Sequence, residues 1–405
     1  MELIARAAGA ESLAAHLQRL GPLPALPSGA LMAELEASGL LGRGGAGFPV
    51  GRKWRAVAER AAGGAVVLAN GAEGEPLSLK DRSLMAARPH LVIDGALLAA
   101  RAVGANDIIF YVGGEHATAQ AALRQALAER PGDVRRRTRI VTAPAGYVSG
   151  EESAAVHYVN AGDARPTTTP PRPFERGVGG RPTLVQNVES LALAALIARR
   201  GHAWYQGLGH GRARGIGLLT VSGAVNRAGV HEIELGATLS DAAAAAGGLR
   251  ADVRAVLLGG YFGGWADLHE QWGLPLDAPS MRARGLALGC GVVHFLPAGT
   301  CGVEATARLM TYLASQSARQ CGPCVFGLSA IASAAQRLAA QSAQPGDLDR
   351  IVRWSRQVTG RGACHHPDGA AALMQSALQV FADDFVGHQH RRCLTISEPA
   401  RVAVA

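Results

Sequence analysis

Along the first 205 residues, hydrophobic positions follow two alternating rhythms. Short apolar runs of β character fall at 65–69, 107–112 and 139–142, and longer runs with helical spacing fall at 89–103 and 115–129. That alternation predicts an α/β sandwich around a mostly parallel sheet. Ligands of such sheets sit beyond the carboxyl ends of strands, where this chain places two polar clusters. Residues 70–76 read Asn-Gly-Ala-Glu-Gly-Glu-Pro, and residues 146–153 read Gly-Tyr-Val-Ser-Gly-Glu-Glu-Ser. A proline-rich passage at 165–174 has no periodicity and reads as a long functional surface loop, leading to 186–190 and a helix. From 215 to about 264 the texture shortens: strands at 218–221, 231–235 and 256–258, a turn at 226–229 and a helix at 239–245 predict a small α+β unit. Beyond about 300 helical spacing dominates. Val303, Ala307, Met310 and Leu313 share one face, as do Ala370, Met374, Ala377, Phe381 and Phe385, so the chain closes with a helical bundle.

Residues 41–54, Leu-Gly-Arg-Gly-Gly-Ala-Gly-Phe-Pro-Val-Gly-Arg-Lys-Trp, change this picture from architecture to chemistry. Gly42, Gly44, Gly45 and Gly47 let the backbone approach a ligand so that successive N–H groups converge on an anion. The run 52–61 then reads as a helix with its positive end toward the same ligand, and Lys53 adds a full charge. The spacing of Gly42, Gly44 and Gly47 fits a dinucleotide fingerprint, but the preceding 34–41 looks helical rather than β, so the loop is not the usual pattern; a plain tight turn is the alternative.

At 405 residues and 48% hydrophobic content the chain has room for two to four well-buried domains. No apolar run is long enough for a membrane span, and Glu2, Arg6, Glu11 and Arg19 interrupt the first twenty residues, which therefore do not read as a secretory signal. The formal charge of +8 suits an acidic protein partner. The basic residues are scattered with no aromatic-interleaved stripe, which argues against nucleic acid.

Glu73, Glu75, Glu151 and Glu152 place four acids beside a site built for an anion. Either they are solvated loop charges or they accept hydrogen bonds from ribityl or ribose hydroxyls and help position a hydride donor. Six cysteines do not make a disulfide framework in a chain of this size. Cys321-x-x-Cys324 sets two thiolates on one turn, and Cys364 in Arg361-Gly-Ala-Cys-His-His-Pro367 can close over the same ion. Three thiolates fall one short of an ordinary [4Fe–4S] set; zinc with His365 or His366 satisfies the count equally, and plain unligated cysteines remain the bland alternative.

The order of these pieces resembles the NADH-binding flavoprotein subunit of respiratory complex I, with relatives in NAD-linked hydrogenases and formate dehydrogenases. The likeness runs from about residue 35 to 390, through 42–54, 70–76 with 80–82, 89–90, 147–152, 182–183 with 187–189, Cys321-Gly-Pro-Cys324 and the Cys364 loop. It implies a helical extension over 1–34, an FMN-binding α/β sandwich over 35–210, a small β-grasp (SLBB-like) domain over 211–297 and a helical bundle with iron–sulfur-type cysteines over 298–395. It further implies that FMN contacts Gly42, Arg43, Gly44, Gly45, Gly47, Lys53, Asn70, Glu73, Tyr147, Gly150, Glu151 and Asn187. Phe48 resembles the aromatic residue that stacks on the NADH adenine, and Glu75 and Glu152 resemble the acids lining the dinucleotide. A [4Fe–4S] or other iron–sulfur cluster would rest on Cys321, Cys324 and Cys364. The partners implied are a ferredoxin or thioredoxin-like iron–sulfur protein and other subunits of a redox complex. The place implied is cytoplasmic, without membrane insertion, or peripheral to a membrane complex.

This chain departs from the family pattern at several positions. Where the family reads Ser-Cys-Gly-x-Cys-x-Pro-Cys-Arg, this chain reads Ser317-Ala-Arg-Gln-Cys-Gly-Pro-Cys-Val325. Ala318 stands at the first ligand position, which leaves the cluster absent, three-iron, or completed by His365 or Cys301. Ala72 replaces an aspartate near the flavin, Ala56 a stacking phenylalanine, and Thr169-Pro-Pro-Arg-Pro173 a lysine-led motif, with Arg172 available to stack or meet a phosphate. Two functions follow: an NADH-oxidising, FMN-dependent electron-transfer subunit, or an FMN-containing relay subunit that no longer oxidises NADH directly.

Overall fold

The computed structural model of the chain describes residues 2–4 and 9–395. These fall into two compact units: residues up to 74, 78–219 and 230–237 in the first, and 75–77, 220–229 and 238 onward in the second.

The first unit rests on four parallel strands, β1 (Ala65–Gly71), β2 (Ala105–Gly113), β3 (Thr138–Ala143) and β4 (Thr183–Asn187), in the order β3-β2-β1-β4. Alternate residues serve two cores. Val67, Ala69, Ile108, Phe110 and Val112 enter the larger one, while Val66, Leu68, Ile109 and Tyr111 meet Ala155 and Val156 in the smaller. Burial on both faces is why these strands read as continuous apolar runs. The helices are α1 (Leu13–Leu20), α2 (Ser28–Ser38), α3 (Val50–Ala58), α4 (Lys80–Ala87), α5 (Pro89–Val103), α6 (Ala117–Ala128), α7 (Gly132–Arg136), α8 (Glu152–Ala161), α9 (Val188–Arg200) and α10 (His202–Gln206). α5 is almost wholly buried, and a Cβ on its Gly95 would lie 2.0 Å from the Leu191 carbonyl oxygen of α9, so the close helix–helix approach requires glycine.

The expected helix at 89–103 and strands at 65–69, 107–112 and 139–142 are present within a residue or two of the pattern. α3 begins at Val50, two residues before the expected start. β4 was not expected, because five residues between an aperiodic loop and a helix are too few to show a strand period.

β5 (Ile216–Gly223) carries the chain from the first unit into the second, and β6 (Gly229–Glu234) pairs with it. In the second unit the sheet continues with β7 (Val253–Leu258), β8 (Gly264–Asp267) and β9 (Val292–Pro297). β9 runs parallel to residues 220–223 of β5 and antiparallel to β7, and β8 is antiparallel to β7. β8 and β9 lie outside the elements expected from the pattern. The helices here are α11 (Leu239–Ala245), α12 (Leu268–Gln271), α13 (Ala278–Ala283), α14 (Gly302–Ser315), α15 (Ser329–Ala339), α16 (Asp347–Val358), α17 (His366–Val380) and α18 (Ala382–Gln389), with a π-helical turn at Pro323–Leu328 before α15. The two apolar stripes read from the sequence, from Val303 to Leu313 and from Ala370 to Phe385, are buried as the helical spacing requires. No helix among the described residues is long and apolar enough to cross a membrane.

Candidate functional site

Strand order in the first unit reverses at β1, with β2 on one side and β4 on the other. Asn70 and Asn187 are register partners at the carboxyl ends of β1 and β4. The cleft beyond them is the topological switch point, where open parallel sheets take ligands.

The glycine loop reaches this point. A bridge between Leu41 and Pro49 closes its neck, with the Gly42 N–H donating to the Phe48 carbonyl (2.9 Å) and the Val50 N–H to the Leu40 carbonyl (2.9 Å). A Cβ on Gly44 would lie 3.3 Å from the Cβ of Asn187, so the loop rests against the end of β4. Gly45 and Gly47 hold φ values of 109° and 63°, with open space where a side chain would stand. That cradle lets peptide groups approach a phosphate, and α3 starts directly after it with its positive end. Trp54 fixes α3 to β4 by donating from Nε1 to Gln186 Oε1 (3.2 Å). Phe48, on the loop, is 51% exposed and offers its ring to a planar ligand.

The polar loops meet at the same place. Asn70 Nδ2 donates to the Gly150 carbonyl (2.8 Å), and a Cβ on Gly74 would lie 2.7 Å from the Tyr147 carbonyl oxygen, so the 70–74 and 146–150 loops are in contact. Lys53 Nζ pairs with Glu152 Oε2 at 2.8 Å, with both side chains partly exposed.

Other expected contact residues use their side chains to build the scaffold. Glu73 accepts from Ser78 Oγ (2.7 Å), from the Asp81 and Arg82 N–H groups (2.9 and 3.1 Å) and from Arg82 Nε (3.0 Å), which caps the start of α4. Glu151 caps α8 by accepting the Ser153 and Ala154 N–H groups (2.9 and 3.1 Å) and the Ser153 hydroxyl. Glu73 and Glu151 are therefore not the solvated loop charges of the first alternative. Asn187 Oδ1 accepts the Glu189 and Ser190 N–H groups at the start of α9 (3.0 and 3.4 Å).

Beneath the loop lies a buried charge network that sequence reasoning did not assemble. Arg43 turns inward, pairing Nε with Glu189 Oε1 (2.9 Å) and donating to the Leu218 carbonyl (3.1 Å). Its own N–H goes to Ser190 Oγ (2.9 Å). Lys80 joins Glu189 Oε2 (3.0 Å) to Asp81 Oδ1 (2.6 Å), and Asn187 Nδ2 donates to Asp81 Oδ2 (2.7 Å). Burial pushes the Glu189 carboxyl upward, but Arg43 and Lys80 outweigh it and hold the pKa below the usual range. Asp81 moves the other way, raised by burial and by the neighbouring Glu73 and Glu189 charges against the pull of Lys80. The available signal was the pair Lys80-Asp81 in a run otherwise read only as a matching motif.

In the second unit, Glu75 is buried and accepts the Leu77 N–H (3.2 Å) and the Tyr261 N–H (2.8 Å). A Cβ on Gly260 would lie 2.7 Å from Glu75 Oε2, so the carboxylate packs directly on that turn. Among the expected thiols, Cys324 lies in the π-helical turn with Cys321 just before it, and Cys364 precedes α17. Burial pushes the Cys324 thiol up to about 12, and the Cys321 and Cys364 thiols beside it push the same way, against a hydrogen bond with Ser317. Cys324, with the Cys321 and Cys364 thiols beside it, forms a sulfur donor set of the kind that holds iron, so the residues present fit an iron–sulfur group.

The fourth-ligand candidates each have a setting of their own. His366 is buried with Nε2 on the Leu313 carbonyl (2.8 Å), His365 has a 97% exposed side chain beside Asp368, and Cys301 faces His388 (3.3 Å).

A phosphate cradle at the switch point of one unit and three gathered thiols in the other define a nucleotide-binding redox protein. Comparison with known proteins gives the family. Residues 35–195 match the Nuo51 FMN-binding domain, and residues 304–388 match the NADH-ubiquinone oxidoreductase-F iron-sulfur binding region. An NADH-quinone oxidoreductase subunit of Rhizobium meliloti is 33% identical over 376 residues, covering 89% of each chain. The corresponding NADH-quinone oxidoreductase subunit of Mycobacterium tuberculosis is 32% identical over 382 residues, 90% of this chain and 85% of that one. An NAD+-reducing [NiFe]-hydrogenase in the air-oxidized state superposes with a TM-score of 0.80 at 30% identity, over 92% of this chain; this chain spans 64% of that hydrogenase chain. The chain belongs to the family of NADH-quinone oxidoreductase subunits built on the Nuo51 FMN-binding domain, as a divergent member.

Proposed function

We propose that this chain is an FMN-dependent electron-transfer subunit that oxidises NADH and passes single electrons to an iron–sulfur carrier. The observation that carries the reading is the glycine loop held over the Asn70–Asn187 switch point. The peptide groups of Gly42 to Gly47 and the start of α3 bind the phosphate, and Lys53 adds charge. Asn70 and Gly150 set the inner wall, with Tyr147 beside them. Glu73, Glu151, Asn187 and Arg43 act one layer back, fixing the loops and helix starts that the ligand meets. Phe48 offers a stacking face for the adenine, and Glu152, tethered to Lys53, positions the dinucleotide. Glu75 is a positioning residue of the second unit, holding 75–77 against Tyr261. Bound FMN would take hydride and release electrons singly, and the protein supplies orientation and charge.

Cys321, Cys324 and Cys364 would hold the cluster. Ala318 supplies no donor, so a four-iron cluster would need a non-cysteine ligand, and the Ser317 hydroxyl that already bonds Cys324 is a donor beside the set. The natural setting is a multi-subunit redox complex, cytoplasmic or peripheral to a membrane, with a ferredoxin or thioredoxin-like iron–sulfur protein as the adjoining carrier.

The test is an anaerobic optical titration with NADH after flavin and iron are quantified in the same sample. Bleaching of the flavin band near stoichiometric NADH is expected. Flavin that bleaches only with dithionite would overturn NADH oxidation and leave the relay reading.

A further inference from the structure

The second unit holds a second set of sulfur and nitrogen donors, separate from the Cys321–Cys324–Cys364 trio. Cys301, His388 and Cys393 each turn one donor atom inward, and these atoms lie within 4.8 Å of one another. Cys301 and His388 are buried and Cys393 is half-buried. We propose that Cys301, Cys393 and His388 form a binding site for a thiophilic divalent cation of the zinc type, with water in the fourth position.

Geometry supports this. Cys301 Sγ stands 3.3 Å from His388 Nε2. A sulfur at about 2.3 Å and a nitrogen at about 2.0 Å from a tetrahedral zinc stand roughly 3.5 Å apart, so little movement seats the ion. His388 Nδ1 donates to the Leu338 carbonyl (2.9 Å), which fixes the tautomer and leaves the Nε2 lone pair toward the sulfurs. Metal-ligating histidines are held in this way. Cys301 is the residue before α14; burial raises its thiol pKa, and the Glu304 and Val303 peptide groups at the start of that helix oppose the rise only in part.

The chain is shaped to bring the third donor back. α18 ends at Gln389, Arg391 takes a φ of 59°, and the Arg392 N–H returns to the Gly387 carbonyl at 2.9 Å. A Cβ at position 387 would lie 2.7 Å from the Arg392 carbonyl oxygen, so glycine is needed for this reversal. Cys393 then folds over the helix end, and Arg254 steadies the residues that follow by donating to Thr395 Oγ1 (2.8 Å). Asp384, one turn before His388, is paired with Arg254 and is not a ligand. Binding releases one proton from each thiol, and a dication with two thiolates and a neutral imidazole carries no net charge, which suits a buried position. Nothing in the proposed electron path uses this trio.

The test uses the full chain, purified without chelator, loaded with Zn2+ under reducing conditions and desalted. Zinc is expected to remain in a Cys321→Ser, Cys324→Ser double variant and to be lost from Cys393→Ser, whose position outside α18 spares the fold. His388→Gln should weaken zinc binding by at least about tenfold, since losing even an outer partner of a metal ligand costs roughly 10–100-fold. Co2+ in place of zinc should give a sulfur-to-metal charge-transfer band that weakens in Cys393→Ser. On the unsubstituted chain, Zn2+ should slow alkylation of Cys393 and a chelator should restore it. Equal zinc retention in both variants, or alkylation indifferent to Zn2+, would overturn the site. So would a Cys301–Cys393 disulfide found in chain alkylated without reductant, with its mass lowered by two hydrogens.

Discussion

The ground beneath the glycine loop and the thiol trio of the second unit solve opposite electrostatic problems. Under the loop, Arg43 and Lys80 meet Asp81 and Glu189 at hydrogen-bond distance, so the cradle is held in shape before any ligand arrives. At the trio, burial and the two neighbouring thiols both oppose ionisation of Cys324, and a neutral hydroxyl, that of Ser317, is what pulls the other way. The difference teaches which parts of the chain are scaffold and which await a partner: paired buried charge marks a preorganised floor, and like groups gathered together mark a place for a cation.

The largest effect should come from the thiol side of this comparison. Cys324→Ser removes a soft ligand from the buried centre of the trio, and iron in anaerobically purified protein should fall to background. FMN content should stay that of the unsubstituted chain, because the cradle lies in the first unit. Iron measured against flavin by metal analysis decides it, and iron retained in the variant would mean that the cluster rests on other residues.

The paired side should break in the converse pattern. Glu189→Gln leaves two buried cations facing Asp81 alone, and breaking a buried ion pair costs about 3–5 kcal/mol. Urea unfolding followed by tryptophan fluorescence should show that loss together with weakened flavin retention, while iron persists. A change under about 1 kcal/mol, the scale of an exposed pair, would show that Asp81 and water compensate.

Much of this was legible in the chain. The loop glycines, the α/β alternation and Cys321-x-x-Cys324 are local patterns, and local patterns survive in a sequence. What did not show was the use of each polar group. Asn187 before Val188-Glu189-Ser190 is an ordinary helix cap signal, yet Glu73 and Glu151 cap helices too, and glutamate announces that role weakly. Lys80 and Arg43 pair with Glu189 from 109 and 146 residues away, and Cys301 meets His388 across 87, distances at which no spacing rule operates. β4 and β9 were missed because short strands declare themselves by their partners rather than by their own period.

A second paired cluster gives acid another point of attack in the first unit, besides Glu189 beneath the cradle, whose carboxyl is also held low. Asp94 lies buried between His16 Nε2 (2.8 Å), Arg130 (2.7 Å) and Arg199. Burial raises its pKa, but the His16 hydrogen bond and the two guanidinium charges outweigh this and hold it at about 2, below the ordinary 3.8. A depressed carboxylate contributes stability that is fully present above its unfolded pKa and is lost as pH falls through the folded one. The unit should therefore lose on the order of 2 kcal/mol from this group between about pH 4 and pH 2. His16 runs the other way: burial lowers it, Asp94 and Glu11 raise it further, and its contribution is present below about pH 6.5 and fades as pH rises through the raised value. Urea midpoints across this range should fall on both the acid and the alkaline side, and Asp94→Asn should flatten the acid limb while lowering stability at neutral pH. An unchanged acid limb in that variant would move the acid sensitivity to Glu11, held near 2 against burial by His16, Arg19 and Arg88, or to Glu189, held low against burial by Arg43 and Lys80.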